Sequence, residues 1–360
     1  MSRLAKETVG DVAKPAVNRR PPWSAKRRQW WWLLLGPCWL LYVPLWCAWA
    51  LGQIYRDQHA AWERFFHLPA PGVVAAGLLL LGLCAVSRHR RLGLVAGLFL
   101  IWPLTIVLAY DNHWLSPRIP VSDSHPTNPL RLLDWNVWHG MGGWDNVLET
   151  LDRERPDILV LAEYTPSDPV HDQHHLESLN TLLLSWGWEV PHTFASGSML
   201  IASRFPLLHI ERPQLPSSDC VLVDFENDSG EPLRVLALDL PSGLRAHRDP
   251  LLRKVKALIT NTQPDLVVGD FNAIRQATQL QPLPEGYRHA YDAAGSGWSY
   301  TWPVPVPVLA IDQCVIGRRI EPIDYTLGTG ASDHRWQRFD FRLIRSKQIS
   351  SARIFHADDD

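Results

Sequence analysis

The chain has 360 residues, more than one ordinary domain holds. It is 46% hydrophobic and 20% charged, which excludes a disordered chain, and its 22 Gly and 29 Pro follow no period, which excludes a collagen-like one. The net charge of −2 conceals a division: residues 1–110 carry 13 Lys+Arg against 4 Asp+Glu, and residues 111–360 carry 22 against 33.

Residues 1–28 form a basic segment with eight Lys and Arg. Three uncharged apolar runs follow, at 29–55, 68–87 and 92–110. At about 1.5 Å per helical residue, the first exceeds a hydrocarbon core of about 30 Å, and membrane helices tolerate its Pro37 and Pro44. Arg88-His89-Arg90-Arg91 divides the second run from the third, so these two read as a helical hairpin. A buried pair of core helices is the bland alternative, which three such runs in 82 residues disfavour. The pattern predicts three transmembrane helices over 29–110 and the bilayer as a partner. Lys and Arg are dense in 1–28 and 88–91 and sparse in 56–67 and after Tyr110, so the expected topology is a multi-pass cell-membrane protein. Its N-terminus is cytoplasmic and its C-terminal domain extracytoplasmic. Lys26-Arg27-Arg28 with Ala48-Trp49-Ala50 could mimic a cleaved export signal, but the run is long for one and two more follow. Residues 111–129, with four Pro, read as a tether.

From 130 to 345 short apolar runs alternate with helical patterns, and 346–360 is a tail. Strands are expected at 131–137, 158–162, 198–203, 220–226, 233–240, 266–268, 310–316 and 338–343. Asn227-Asp228-Ser229-Gly230 would turn a hairpin, and helices are expected over 144–153, around Leu176–Leu183 and over 251–259. About nine strands with few helices predict an α+β fold: two sheets packed face to face, flanked by helices in four layers. Five Cys are too few for a disulfide scaffold, and whether Cys220 and Cys314 pair is open.

Polar residues recur where apolar strands stop: Asn136, Glu163, Asp239, Asp270 with Asn272, Asp312, and Asp333-His334. Singly, each reads as a turn residue or helix cap. Several carboxylates at one end of neighbouring strands would repel and raise one another's pKa, and a divalent cation with a preference for oxygen relieves that.

In order and context these motifs resemble the endonuclease/exonuclease/phosphatase superfamily. The carrying residues are Leu133-Asp134-Trp135-Asn136, the strand running into Glu163, Gly197-Ser198, Gly269-Asp270-Phe271-Asn272-Ala273, Ile311-Asp312 and Ser332-Asp333-His334. The preceding apolar runs are similar to those of a bacterial, membrane-anchored group. The resemblance implies a divalent-metal-dependent phosphoester hydrolase using Mg²⁺, with Mn²⁺ as the alternative. Glu163, Asn136 and Asp333 would serve the metal. Asp270 would activate water, Asn272 would hold the phosphate, and His334, oriented by Asp312, would contact phosphate or move a proton. The family's usual His, or in some nucleases Tyr, is here Asp239. Asp239 could be kept protonated, bind metal, yield its role to Arg245 or His247, or mark an impaired site.

The substrate is left open among lipid head groups, small phosphoesters and nucleic acid, and no protein partner is implied. The acidic balance of 111–360 weighs against long DNA. A catalytically silent tethered module and an extracytoplasmic nuclease are the alternatives. Trp298, Tyr300 and Trp302 read either as an aromatic loop at the site mouth or as packing, and 304–308 as a stiff extended segment.

Overall fold

Alternation of apolar side chains determines the C-terminal architecture. A computed structural model of the protein describes residues 23–114, 128–164, 169–226, 230–243 and 246–344. Strands β1 (Leu130–Asn136), β2 (Ile158–Ala162), β3 (His192–Ser196), β4 (Met199–Ser203), β11 (Ile320–Gly328) and β12 (Trp336–Leu343) form one sheet, ordered β11-β12-β1-β2-β4-β3. Strands β5 (Leu207–Glu211), β6 (Asp219–Phe225), β7 (Leu233–Asp239), β8 (Leu266–Asp270), β9 (Arg288–His289) and β10 (Asp312–Ile316) form the other, ordered β5-β6-β7-β8-β10-β9. Among the described strands, β1/β2 and β7/β8 pair in parallel and the other pairs are antiparallel.

The sheets face each other across a core that includes Leu132, Val160, Val235, Val268, Ile316 and Phe341. Helices α5 (Trp144–Glu154) and α6 (Pro169–Ser185) cover the first sheet, and α7 (Asp249–Thr262) covers the second. The four layers expected from the sequence are therefore present. Twelve strands, rather than about nine, lie among the described residues. The additional ones are edge strands of mixed exposure (β3, β5), a two-residue strand (β9), and β11, which Pro322 and a register shift interrupt. None of these carries a clean period-2 pattern.

Before this fold come α1 (Trp23–Tyr55), α2 (Ala60–Phe66), α3 (Ala70–Val86), α4 (Arg90–Thr105) and a π-helical turn, Ile106–Tyr110. Two helical stretches, Trp30–Tyr55 and Arg90–Tyr110, are long and apolar enough to cross a membrane. Among the described residues, two of the three expected spans are thus matched by single helices, and the third is left open. With 17 residues, α3 measures about 26 Å, and it joins a third span only if α2, bent from it by 55°, is counted in.

The connector 56–67 is not a bare loop, because α2 lies against the C-terminal fold. Asp57, Glu63 and Asp111 are buried there. The segment read as a tether begins packed: Arg275 Nη2 donates to Asp111 O (2.6 Å), Gln276 Nε2 to Asp111 Oδ1 (2.7 Å), and Ser299 N to Asn112 Oδ1 (2.6 Å). Residues 1–22, 115–127 and 345–360 lie outside the described residues, as do Arg245 and 227–229 of the expected hairpin turn. Cys220 and Cys314 are both free thiols.

Candidate active site

In β1, Leu130 and Leu132 face the core between the sheets, and period 2 puts Asp134 and Asn136 on that same face. The same phase carries Leu266 and Val268 into Asp270, Val235 and Ala237 into Asp239, and Ile316 and Cys314 back to Asp312. The inter-sheet core thus turns polar at one end. Register makes the change collective, for Asp219 pairs with Asp239, Asp239 with Asp270, and Asp270 with Asp312. Four aspartates stand in a row across four adjacent strands, about 4.8 Å apart in the hydrogen-bonding direction. Facing like charges are destabilising.

The electrostatic consequences are large. Burial, then the charge of Asp312, raises the Asp270 carboxyl well above the ordinary range, against the opposing pull of His334. Asp134, buried below, is raised by the same two causes, and Gln337 Nε2 donates to its Oδ2 (2.7 Å). His334 Nδ1 lies 3.1 and 3.0 Å from the two oxygens of Asp312, and its Nε2 lies 4.0 Å from Asp270 Oδ2. Burial lowers the His334 pKa, but the charge and hydrogen bond of Asp312, then Asp270 and Asp333, outweigh it and raise the pKa to about 10. Three donors fix Asp270: Asn272 N to Oδ1 (2.8 Å), Asn272 Nδ2 to Oδ2 (3.0 Å) and Asn136 Nδ2 to Oδ2 (3.1 Å). Ser332 Oγ ties the strand end to the His334 loop, donating to Asn136 O (2.7 Å) and accepting from His334 N (3.0 Å).

Glu163, Asp270, Asn272, Asp333 and His334 line one cavity of about 710 Å³. Four non-glycine residues on its wall, Trp138, His139, Glu163 and Asn272, have φ between 47° and 50°. Left-handed residues of this kind cost of order 1 kcal/mol or more each and cluster at functional sites. Gly269, at φ 135°, has no substitute: a Cβ there would sit 1.9 Å from Leu238 O.

Asp239 stands apart, in a side pocket of about 500 Å³ that shares Glu163 and Asn272 with the main cavity. Burial, then the charges of Glu163 and Asp219, raise its pKa to about 6 against the hydrogen bond to Ser198. Ser198 Oγ contacts Oδ2 of both Asp239 and Asp219. One hydroxyl carries one hydrogen, so Ser198 can donate to only one of the two acids at a time. His247, a suggested substitute, is held by Glu63 (Nδ1···Oε2 2.6 Å) and lines the main cavity.

The donor set fits a hard cation. Glu163 Oε2 is 3.5 Å from His139 Nε2. Asp333 Oδ2 accepts from Trp302 Nε1 (3.0 Å), while its Oδ1 is buried without a hydrogen-bond partner. An orphaned carboxylate oxygen beside several acids suits Mg²⁺ or Mn²⁺. Asp270, Asp312 and His334 also offer donor atoms within 4.8 Å of one another. Hydrogen bonding of His334 Nδ1 to Asp312 accounts for that grouping, so it reads as a proton-handling set. Asn136 joins through Asp270, its Oδ1 accepting from Trp138 N (3.0 Å).

Sequence reasoning missed Asp134, Asp219, His139 and Glu63. Of the aromatic trio, only Trp302 reaches the cavity. Tyr300 is buried and donates to Asp111 Oδ2, and Trp298 packs on Tyr300. The segment 304–308 is not extended. It turns back, with Val308 N and Leu309 N donating to Trp302 O (2.8 and 2.9 Å).

A family model described as the Endonuclease/Exonuclease/phosphatase family matches residues 135–334. Among curated proteins no match was found. Similar solved structures include humanized D. rerio TDP2 carrying 14 mutations, at 19% identity and TM-score 0.50, covering 60% of this chain and 100% of that one. An endonuclease/exonuclease/phosphatase from Beutenbergia cavernae DSM 12333 is 16% identical at TM-score 0.50, covering 61% and 72%. The mannosyl-6-phosphatase Bt3783 of Bacteroides thetaiotaomicron VPI-5482 is 13% identical at TM-score 0.47, covering 59% and 100%. At such identities the first two likenesses speak to the fold alone.

Proposed function

Because the chain belongs to the endonuclease/exonuclease/phosphatase family, a family of phosphoester hydrolases, we propose that it is a membrane-anchored, Mg²⁺- or Mn²⁺-dependent phosphoester hydrolase acting outside the cytoplasm. The observation that carries the reading is the buried Asp312–His334–Asp270 chain opening into the cavity that Glu163 and Asp333 line.

Glu163 and Asp333, with Asn136 beside them, are the residues to hold the cation. When bound it neutralises charge on the phosphoryl oxygens. The chain's own groups do the rest. Asp270, fixed by three donors, receives a proton from the attacking water. Asn272 holds the acid in place. His334, kept charged by Asp312, offers its Nε2–H to the phosphate, and a positioned proton donor of this kind contributes roughly 10²–10⁴-fold. Asp239, its pKa raised to about 6, is mostly ionised at pH 7, and only its minor protonated fraction, about a tenth, could donate to the departing oxygen.

Anchoring rests on the apolar exterior of the N-terminal helices, where Leu40, Leu41, Leu94 and Leu98 are each at least two-thirds exposed. In water such a surface would aggregate. Sidedness rests on the Lys and Arg asymmetry.

The test is turnover of bis(p-nitrophenyl) phosphate by the full chain in detergent. Activity is expected with Mg²⁺ or Mn²⁺, to vanish with EDTA, and to fall at least 100-fold in both Asp270→Ala and His334→Ala. Either variant at full activity refutes the reading.

A further inference from the structure

The cavity has a wall that belongs to the N-terminal helices. Ala60, Glu63, Arg64 and His67 of the α1–α3 connector line it together with Leu68 and Pro69 at the start of α3. This placement is built. Glu63 is 3% exposed, accepts from Arg248 N (3.0 Å), and pairs with His247 Nδ1 (2.6 Å) and Arg248 Nη1 (3.3 Å). Asp57, fully buried, accepts from Thr278 N (3.0 Å) and Oγ1 (2.5 Å). Buried carboxylates are costly unless partnered, so these contacts specify one docking geometry for the connector.

Three kinds of surface meet in the cavity. Its floor is acidic, with Glu163, Asp270 and Asp333. Arg64, His247 and Arg248 supply basic groups on the wall. The third surface is apolar: Leu68, Pro69, Leu309 and Ile311. A water-soluble phosphoester uses the first two and has no use for the third. Leu68 also packs on the buried cluster of the N-terminal helices, so the apolar side of the cavity continues into that bundle. Moreover, the connector is where the chain leaves one apolar helix, at Tyr55, and enters the next, at Ala70. The cavity therefore opens at the level where those helices end.

We infer that the site takes a phosphoester carried by a lipid. Its phosphate lies between the acidic floor and the basic wall, and its acyl chains leave along Leu68 and Pro69 toward the bilayer. This rests on the hydrolase reading above. Arg64 and Glu63 are then determinants of specificity, Arg64 toward the head group and Glu63 as a positioning residue for His247 and Arg248.

The experiment uses the full chain in nanodiscs and three substrate pairs that share a head group and differ in acyl chains: phosphatidic acid and glycerol 3-phosphate, phosphatidylglycerol and glycerophosphoglycerol, phosphatidylethanolamine and glycerophosphoethanolamine. Products are measured by mass spectrometry, alongside bis(p-nitrophenyl) phosphate. For at least one pair, kcat/KM is expected to be tenfold or more higher with the acylated member. Ala60→Trp, at an exposed position on the wall, should lower that ratio at least fivefold, chiefly through KM, whereas Arg64→Ala, acting on the head group that both members share, should lower kcat/KM at least fivefold on both. If soluble esters are cleaved and acylated ones no better, the lipid inference falls while the hydrolase reading stands. A preference for lipid that Ala60→Trp leaves intact, with Arg64→Ala matching the parent on both members, removes the connector from the site and overturns the inference. No turnover of any probe ends both.

Discussion

Asp312→Asn isolates the role of the buried acid behind His334. The substitution keeps shape and removes one charge from a pair whose members are 4% and 5% exposed. At the 3.0 Å contact and an effective dielectric near 20, the lost attraction is about 5 kcal/mol, equivalent to about four pKa units. The His334 pKa of about 10 should then fall by about four units, to near the ordinary imidazole value, with burial lowering it and Asp270 and Asp333 still raising it. At pH 7.5 the ring changes from imidazolium to neutral and loses the acceptor that fixes its tautomer. The expected outcome is a loss of 10²–10⁴ in kcat/KM on bis(p-nitrophenyl) phosphate. Nitrogen NMR of the ring in EDTA should find it charged in the parent at pH 7.5 and neutral in the variant. In a His334→Ala background Asp312→Asn should cost little more, since the two act as a unit. Activity within threefold of the parent, or losses that add in full, would refute the reasoning.

Buried His289 provides a pH test remote from the cavity. Burial, with a contribution from Arg275 that Asp292 opposes, lowers its pKa to about 4; its Nε2 lies 3.3 Å from Leu280 O and its Nδ1 has no partner. The unfolded chain, with an imidazole near 6.5, binds the proton first. Stability from the neutral ring is therefore complete above pH 6.5 and is lost as pH falls toward 4, to a total of about 3 kcal/mol. His289→Gln should remove that part of the slope in thermal unfolding between pH 7.5 and 4.5, and parallel curves for parent and variant would contradict it. Gly269→Ala should destabilise by at least 3 kcal/mol, because its Cβ collides with Leu238 O at a backbone angle that L residues avoid. A melting temperature within about 2 °C of the parent would count against that geometry.

Much of the site was legible because its residues sit at the ends of strong strands. Period 2 in β1, β7, β8 and β10 fixes both the core face and the point where it turns polar. Asp134 carried the same signal, an acid in phase with Leu130 and Leu132, and could have been found from it. Asp219 was hidden because only register, not local pattern, aligns it with Asp239. The docked connector was hidden for a different reason. Glu63 meets partners 184 and 185 residues away, and Asp57 one 221 away, and no local period encodes such pairing. The signal available was compositional: residues 1–110 hold four acids, and two of them fall in the short connector 56–67.

The aspartate row also explains why the site sits at the seam between the sheets. Four carboxyls on adjacent strands of one sheet would loosen an exposed edge, whereas here the second sheet supplies what the row lacks. Asn136, at the end of β1, donates to Asp270, and Glu163 follows β2. Asp333 and His334 precede β12 and bring one further acid and an imidazole in contact with Asp312. Burial first, and then the charges of neighbouring acids, raise the Asp270 and Asp239 pKa values. The same repulsion makes the end of the sandwich receptive to a divalent cation, and ion binding should recover stability that folding alone forgoes. The affinity of the proposed cation and the acidity of Asp270 would then both depend on the register of β6, β7, β8 and β10. A variant that relieves the row, Asp312→Asn among them, should bind Mg²⁺ more weakly even though Asp312 lies behind His334 and is not among the proposed ligands.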